Sequence, residues 1–271
     1  MFSGSNSTFS TTLKVALCSI YYISTVMPHA WFGTTLNNWV FSQWTREEYD
    51  QAVLMMVILF VVLCLGLFAN RIKKTLPSTI LTFFLSSTIA TAIWKIGFVI
   101  NIEAIHFFQY AILAILIYTI TNDYLSTHLW CVVLGMLDEA YQFFILAPEA
   151  TFYYDMNDVI TNTAGAGFGI FLCMLLIRNP SAKPNIQVVP ALLFTFITAL
   201  LIALRYTLPE QHPLAVLKEP LETFWHPIPG ESEYFHIVGI VEGSLIVVGL
   251  ILLYHRIYQW HYTLENQSVA K

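Results

Sequence analysis

Three short stretches of this chain carry side chains able to bind a polar ligand or to move its protons. Gln109 and Tyr110 follow His106 by three and four residues, so a helix places all three on one face. Asp138 and Glu139 form an adjacent acid pair with Gln142 one turn on. Asp155, Asp158, Asn162, Gly165 and Gly169 advance by alternating steps of three and four, which again makes a single helical stripe. Imidazole and carboxylate together supply general acid-base chemistry, which makes His106, Asp138, Glu139 and Asp158 the candidate catalytic residues. Gln109, Tyr110, Gln142, Asp155 and Asn162 are candidate binding residues through their donors and acceptors. Gly165 joins them because a bare backbone allows close approach. Carboxylates with a histidine can also hold a divalent cation, but H-x-x-x-H and H-E-x-x-H spacings are absent. The sequence therefore assigns no metal site and no cofactor, and it offers no Ser or Cys nucleophile beside a base.

The elements that must position these residues are membrane helices. Hydrophobic residues make up 57% of the 271 positions and charged residues 11%, against about a quarter charged in a soluble domain. The mean hydropathy of +0.66 agrees, and the apolar blocks approach the length that crosses a hydrocarbon core of about 30 Å. Spans are predicted at 13–27, 52–69, 79–100, 104–120, 129–146, 159–177, 189–204 and 237–254. The expected fold is all-α, a polytopic transmembrane bundle of about eight spans. The segment 79–100 is diluted by Ser86, Ser87, Thr88 and Lys95. The first span lacks a small-x-small cleavage site and reads as an uncleaved anchor.

Charge between the spans orients them. Arg71, Lys73 and Lys74, then Arg178 and Lys183, then Arg256 fall on the side of the N-terminus if there are eight spans. Glu47, Glu48 and Asp50, then Glu149 and Asp155, then Glu219, Glu222, Glu231 and Glu233 fall opposite. Lysine and arginine collect in short cytoplasmic loops, so both termini are expected in the cytoplasm and the acidic loops outside. The loop from Tyr206 to Phe235 holds Pro220, Phe224, Trp225, Pro227 and Pro229 and is expected to cap the outer surface. Cys18, Cys64, Cys131 and Cys173 fall inside predicted spans without C-x-x-C spacing and read as small buried hydrophobes. The net charge of -5 without a long basic run argues against nucleic acid as a partner. Tyr21, Trp130 and Trp260 read as interface-belt residues. Lys95 reads as a snorkelling cation, and Glu242 after His236 as a possible extension of a polar cavity.

Glu139 lies more than two turns before Pro148, about 12 Å inside the end of its helix at about 1.5 Å per residue. An ionised acid at such depth costs roughly 2.5 to 3.5 kcal/mol, and two adjacent acids repel as well. Such side chains must pair, take up a proton or meet water. That requirement draws the helices bearing His106, Glu139 and Asp158 together. The competing reading is a closed hydrogen-bonded lock that only fixes helix register.

At these residues the chain resembles the VanZ-like family of bacterial membrane proteins, named for a protein associated with teicoplanin resistance. Ile105-His106-Phe107-Phe108-Gln109-Tyr110 is similar to the family's H-f-x-x-Y element. Asp138-Glu139-x-x-Gln142 is similar to its E-x-x-Q element, and Asp158-x-x-x-Asn162-x-x-Gly165 to its D-x-x-x-N-x-x-G helix start. The resemblance covers 95–178 and implies a bacterial cytoplasmic membrane protein in three parts: N-terminal helices 1–94, a VanZ-like core 95–178, and a C-terminal pair with capping loop 179–271. Two departures stand out. Phe152 occupies a place where many members carry arginine, and Gln109 stands where an acid is frequent. An anion-binding role would then pass to Lys95 or Arg205, or the ligand would differ.

Three functions are compatible with this reading. The leading one is an outward-facing polar cavity that binds the head of a membrane lipid or lipid-linked envelope precursor, with an effect on glycopeptide tolerance. The second is an envelope hydrolase or transferase using the acid pair and His106. The third is a small proton-coupled transporter, which predicts repeated halves that the sequence lacks. Protein partners are not indicated by the sequence.

Overall fold

The computed structural model describes residues 6–26, 42–72, 77–97, 104–146, 154–176, 187–209, 224–227 and 234–269, with the isolated positions 35, 38, 39 and 212. Helix α1 (Asn6–Tyr21) continues as a wide π-type turn over Tyr22–Val26. Then follow α2 (Arg46–Ile72), α3 (Pro77–Gly97), α4 (Ile105–Thr121) and α5 (Tyr124–Tyr141), which also continues as a π-type turn over Gln142–Leu146. Helices α6 (Met156–Leu176), α7 (Val188–Thr207) and α8 (Ile240–Val269) complete the bundle. Strands β1 (Phe224–Pro227) and β2 (Tyr234–Ile237) pair antiparallel between α7 and α8, with Trp225 opposite His236.

The architecture is an all-α helical bundle, and four helices are long and apolar enough to cross a membrane: Pro77–Lys95, Tyr124–Leu146, Val188–Thr207 and Ile240–Leu264. Leu59 of α2, Phe196 of α7 and Leu245 of α8 are exposed, while His106, Asp138, Glu139, Asp158 and Asn162 are buried. This inversion of the soluble pattern, apolar outside and polar inside, marks a membrane protein.

Local chemistry sets the helix ends. Thr45 and Glu48 make a capping box at the start of α2: Glu48 Oε2 accepts from the Thr45 backbone N at 2.8 Å and from its Oγ1 at 2.9 Å. These bonds, the backbone one foremost, hold the exposed Glu48 below the ordinary carboxylate range. Only Asn122 and Asp123 separate α4 from α5. Asn122 takes the left-handed conformation at φ 51°, which asparagine tolerates better than most residues. Asp123 caps α5 by accepting from the Ser126 N at 2.7 Å. Asp155 caps α6, its Oδ1 accepting from Asn157 N at 2.9 Å and Asp158 N at 3.2 Å.

Helix α6 is the axis of the bundle. Every residue from 156 to 174 is buried, with α4, α3, α5 and α8 packed around it. A helix surrounded by protein has no lipid to face, so it can carry Asn157, Asp158, Thr161, Asn162 and Thr163 in its first turns. Close approach is built into its glycines. A Cβ on Gly165 would strike the Phe107 backbone carbonyl, one on Gly169 the Ala111 carbonyl, and one on Gly167 the Tyr254 ring.

Helix α1 runs antiparallel to α4: Lys14 donates to Thr119 O at 2.9 Å and Tyr21 to Gln109 O at 3.1 Å. His261 of α8 meets Ser78 and Thr79 at the start of α3, at 2.9 and 3.3 Å. The start of α1 and the far part of α8 thus lie at one end of the bundle. The first turns of α4 and α6 lie at the other, hereafter the site end.

Several elements differ from the sequence-based expectation. The segment 206–235 was expected as a loop, yet part of it is strand, and β2 packs on α3. Ile237 is the last residue of β2 and not the start of the final helix, which begins at Ile240. Helix α5 starts at Tyr124 because Asp123 supplies its cap. Trp130 and Tyr21 are not simply belt residues: Trp130 Nε1 donates to Gln187 Oε1 at 2.8 Å, fastening α5 to the start of α7. Glu242 is exposed and adds nothing to an interior cavity, and Lys95 is exposed. Cys131 and Cys173 are buried free thiols and Cys18 is half-buried. The loop residues Lys73, Lys74, Arg178, Lys183, Glu149, Glu219, Glu222, Glu231 and Glu233 lie outside the described residues. So do Pro148, Phe152, Pro220, Pro229 and the side chains of Arg71 and Cys64.

Candidate functional site

Three helices converge at the site end. His106 is the second residue of α4 and Asp158 the third of α6; Glu139 comes from the last turn of α5. His106 Nε2 stands 3.2 Å from Asp158 Oδ2. One ligand-type atom from each of His106, Glu139 and Asp158 lies within 4.8 Å of the other two. All three residues are buried. Glu139 lies level with the first turns of α4 and α6, and its own helix continues beyond it to Leu146.

The neighbouring candidates fall around this triad. Gln142 Nε2 donates to Glu139 Oε1 at 3.0 Å, and its backbone N is shared between the Asp138 and Glu139 carbonyls where the helix widens. Such π-type turns are frequent at functional sites. Asp138 is fully buried, with the hydroxyl of the equally buried Tyr110 at 3.5 Å from its Oδ2, a long and weak contact. Asp138, Asp155 and Asp158 all lie within electrostatic range of Glu139. Gln109 is buried one turn beyond His106. Asn162 lies beside the His106 imidazole. Gly165, one turn further along α6, brings α4 close enough for His106 to reach Asp158.

Every candidate named from the sequence is therefore in or directly behind one region. The helix N-termini of α4 and α6, which run side by side, present partial positive charge to Asp155 and Asp158. That offsets part of the repulsion among the four carboxylates. With an imidazole and two carboxylates facing one another, the site can exchange protons, accept hydrogen bonds from hydroxyl or amine groups, or ligate a cation.

Three contributors escaped the sequence reading. Gly135 packs against the Asn162 side chain, a Cβ there standing 3.2 Å from Asn162 Nδ2. Its position one turn before Asp138 and Glu139 was an available signal. Tyr154 donates to Met136 O at 2.5 Å and closes the α5–α6 hairpin. Asn157 grips the end of β2 and the residue after it, donating to His236 O at 2.7 Å and accepting from Val238 N at 3.1 Å. No local pattern announces the last two.

Fold and site together define a helical membrane protein with a buried imidazole–carboxylate cluster at one end. No protein-family model matches the chain, and neither does any curated protein or solved structure.

Proposed function

We propose that this protein is a VanZ-like, multi-pass membrane protein of the bacterial cytoplasmic membrane that binds the polar head of an envelope amphiphile at the site end. The observation that carries the reading is the convergence of His106, Glu139 and Asp158 within 4.8 Å at one end of an apolar bundle. That is the level at which a lipid headgroup lies, and hydrogen-bond acceptors gathered there suit a polyhydroxyl or amine-bearing head. Eight spans with both termini cytoplasmic follow from the basic residues Arg71, Lys73, Lys74, Arg178, Lys183 and Arg256. The site end then faces outward, toward lipid-linked wall precursors, and altered presentation of such a precursor would change glycopeptide tolerance.

The test is lipid content. Protein purified in mild detergent is expected to carry an envelope lipid detectable by mass spectrometry, and Glu139→Gln with Asp158→Asn to lose it. A stable double variant with unchanged lipid content refutes the proposal.

A second reading, an envelope hydrolase or transferase, is favoured by the 3.2 Å His106–Asp158 pair, with Glu139 as a further base. It predicts that envelope lipid profiles differ between cells with and without the protein. Identical profiles would remove it.

A further inference from the structure

We infer that His106, Glu139 and Asp158 form the ligand set of a divalent transition-metal site, completed from outside by Asn162. The site stands on its own geometry; its role as a bridge to a headgroup rests on the amphiphile reading above.

Metal sites constrain the spacing of their donors. A cation about 2.1 Å from each nitrogen or oxygen ligand holds the donor atoms roughly 3 to 4 Å apart. His106 Nε2 and Asp158 Oδ2 are at 3.2 Å, and Glu139 supplies an oxygen within 4.8 Å of both. Small rotations of three side chains close this set on an ion. The ligands come from three separate helices: backbone contact at Gly165 and Gly169 sets α6 against α4, and Gly135 packs α5 against Asn162, so only the side chains need move to receive the ion.

Asn162 supplies an independent observation. It is fully buried, yet neither its Nδ2 nor its Oδ1 makes a hydrogen bond of ordinary geometry. A buried amide left in that state costs on the order of 1–3 kcal/mol. It lies beside the His106 ring, whose Nε2 faces Asp158. When Nε2 donates its lone pair to a metal, the ring proton must sit on Nδ1, and that N–H needs an acceptor. Metal-bound histidines usually find one in a carbonyl or carboxylate, and Asn162 Oδ1 is available for the part. Metal binding thus gives the Asn162 amide, already beside the ring, a well-formed hydrogen bond to accept.

Charge points the same way. Asp138 and Asp155 lie near Glu139 and Asp158, so four carboxylates surround one imidazole. Buried together, these acids cannot all ionise without a counter-charge; a divalent cation supplies it and can then hold a phosphate oxygen at an open position. One nitrogen and two carboxylate oxygens suit Mn2+ or Zn2+ better than Ca2+, which prefers six to eight oxygens. The chemical class of ligand implied is an amphiphile with a phosphate-bearing head.

The experiment uses the full chain in detergent, stripped with EDTA and then offered MnCl2 or ZnCl2. The expected result is about one ion retained per chain after desalting, with pulsed EPR of the Mn2+ form showing nitrogen coupling from a directly bound imidazole. Asp158→Asn and Glu139→Gln should each weaken binding at least about tenfold, and Asn162→Ala roughly tenfold through the outer contact. His106→Gln should abolish the nitrogen coupling. Absence of retained Mn2+ and Zn2+, or Mn2+ bound without nitrogen coupling, overturns the site on the wild-type protein alone, whatever the folding of the variants. Lipid content of the same samples separates the two proposals. Metal bound without lipid keeps the site and removes the amphiphile reading, while lipid that survives EDTA overturns the bridge.

Discussion

Gly165 of α6 lies against the backbone carbonyl of Phe107 in α4, so closely that a single added Cβ would collide with it. This contact lets α4 and α6 approach backbone to backbone, and His106, the residue before Phe107, reaches Asp158 as a result. Neither partner can yield by a side-chain rotation, because the atom struck belongs to the main chain.

Gly165→Ala is therefore expected to cost about 1–3 kcal/mol, in the range of overpacked cores, and to part His106 from Asp158. Gly249→Ala is the control, since nothing lies within 4 Å of a Cβ there, and it should leave stability unchanged or slightly raised. Thermal unfolding of both variants in one detergent checks the difference; equal midpoints would contradict it.

His128 tests whether every buried histidine belongs to the site. It is fully buried, Nε2 donates to Thr163 O at 3.0 Å, and its ring stands edge-on to Tyr254 at 4.8 Å. These contacts are satisfied within the packed interior. His128→Leu should lower stability by about 1–3 kcal/mol, the cost of stranding a buried carbonyl, while lipid and metal retention stay at wild-type level. Loss of either ligand in a folded variant would extend the site to His128.

Tyr254 shares a 2.6 Å hydrogen bond with Ser86, joining α8 to α3 inside the bundle. Tyr254→Phe and Ser86→Ala are each expected to cost about 0.5–1.5 kcal/mol. Because the residues touch, the double variant should cost less than the sum, with a coupling of at least about 0.5 kcal/mol. A double-mutant cycle on unfolding free energy measures it, and strict additivity would mean the bond contributes nothing.

Asn157 holds the end of β2 and the residue after it to the start of α6 through His236 O and Val238 N. Asn157→Ala should free the Val238 amide, accelerating its hydrogen exchange about tenfold, the equivalent of roughly 1.4 kcal/mol. Unchanged exchange at Val238 would show that the Asn157 side chain does not protect it.

The capping box of α2 makes a prediction about pH. The folded Glu48 titrates below its ordinary 4.5, so its contribution is present above that value and is lost as pH falls through the lower, folded one. Glu48→Gln should fray the first turn of α2 at neutral pH, and acid should do the same to the wild type. Protection factors for Ala52 and its neighbours, corrected for intrinsic exchange, report it; a first turn indifferent to both changes would remove the cap from the account.

The site's membership was legible in the sequence because polar side chains are costly inside apolar helices. Spacing put Asp155, Asp158, Asn162 and Gly165 on one stripe, and short connections forced α4, α5 and α6 to be neighbours. The metal-ligand geometry was not legible. Motif spacing detects two ligands on one helix, whereas here each of His106, Glu139 and Asp158 comes from a different helix. Nor could helix spacing show that Glu139 lies level with the first turns of α4 and α6. The strands at 224–227 and 234–237 were hidden because proline and aromatic residues there read as loop, and strand pairing is a contact between distant positions.

By itself the sequence determined an all-α membrane bundle, since hydrophobic content and block length leave water no role as the main solvent. It also determined which side chains had to be sheltered from lipid. Only the tertiary structure decided that α6 is the buried axis, that Asn162 stands beside His106, and that three donors meet within 4.8 Å. Those facts depend on how far each helix slides along its neighbours. Between α4 and α6 that sliding is set by backbone contacts at Gly165 and Gly169, and between α5 and α6 by Gly135 against Asn162, which periodicity along one helix does not encode.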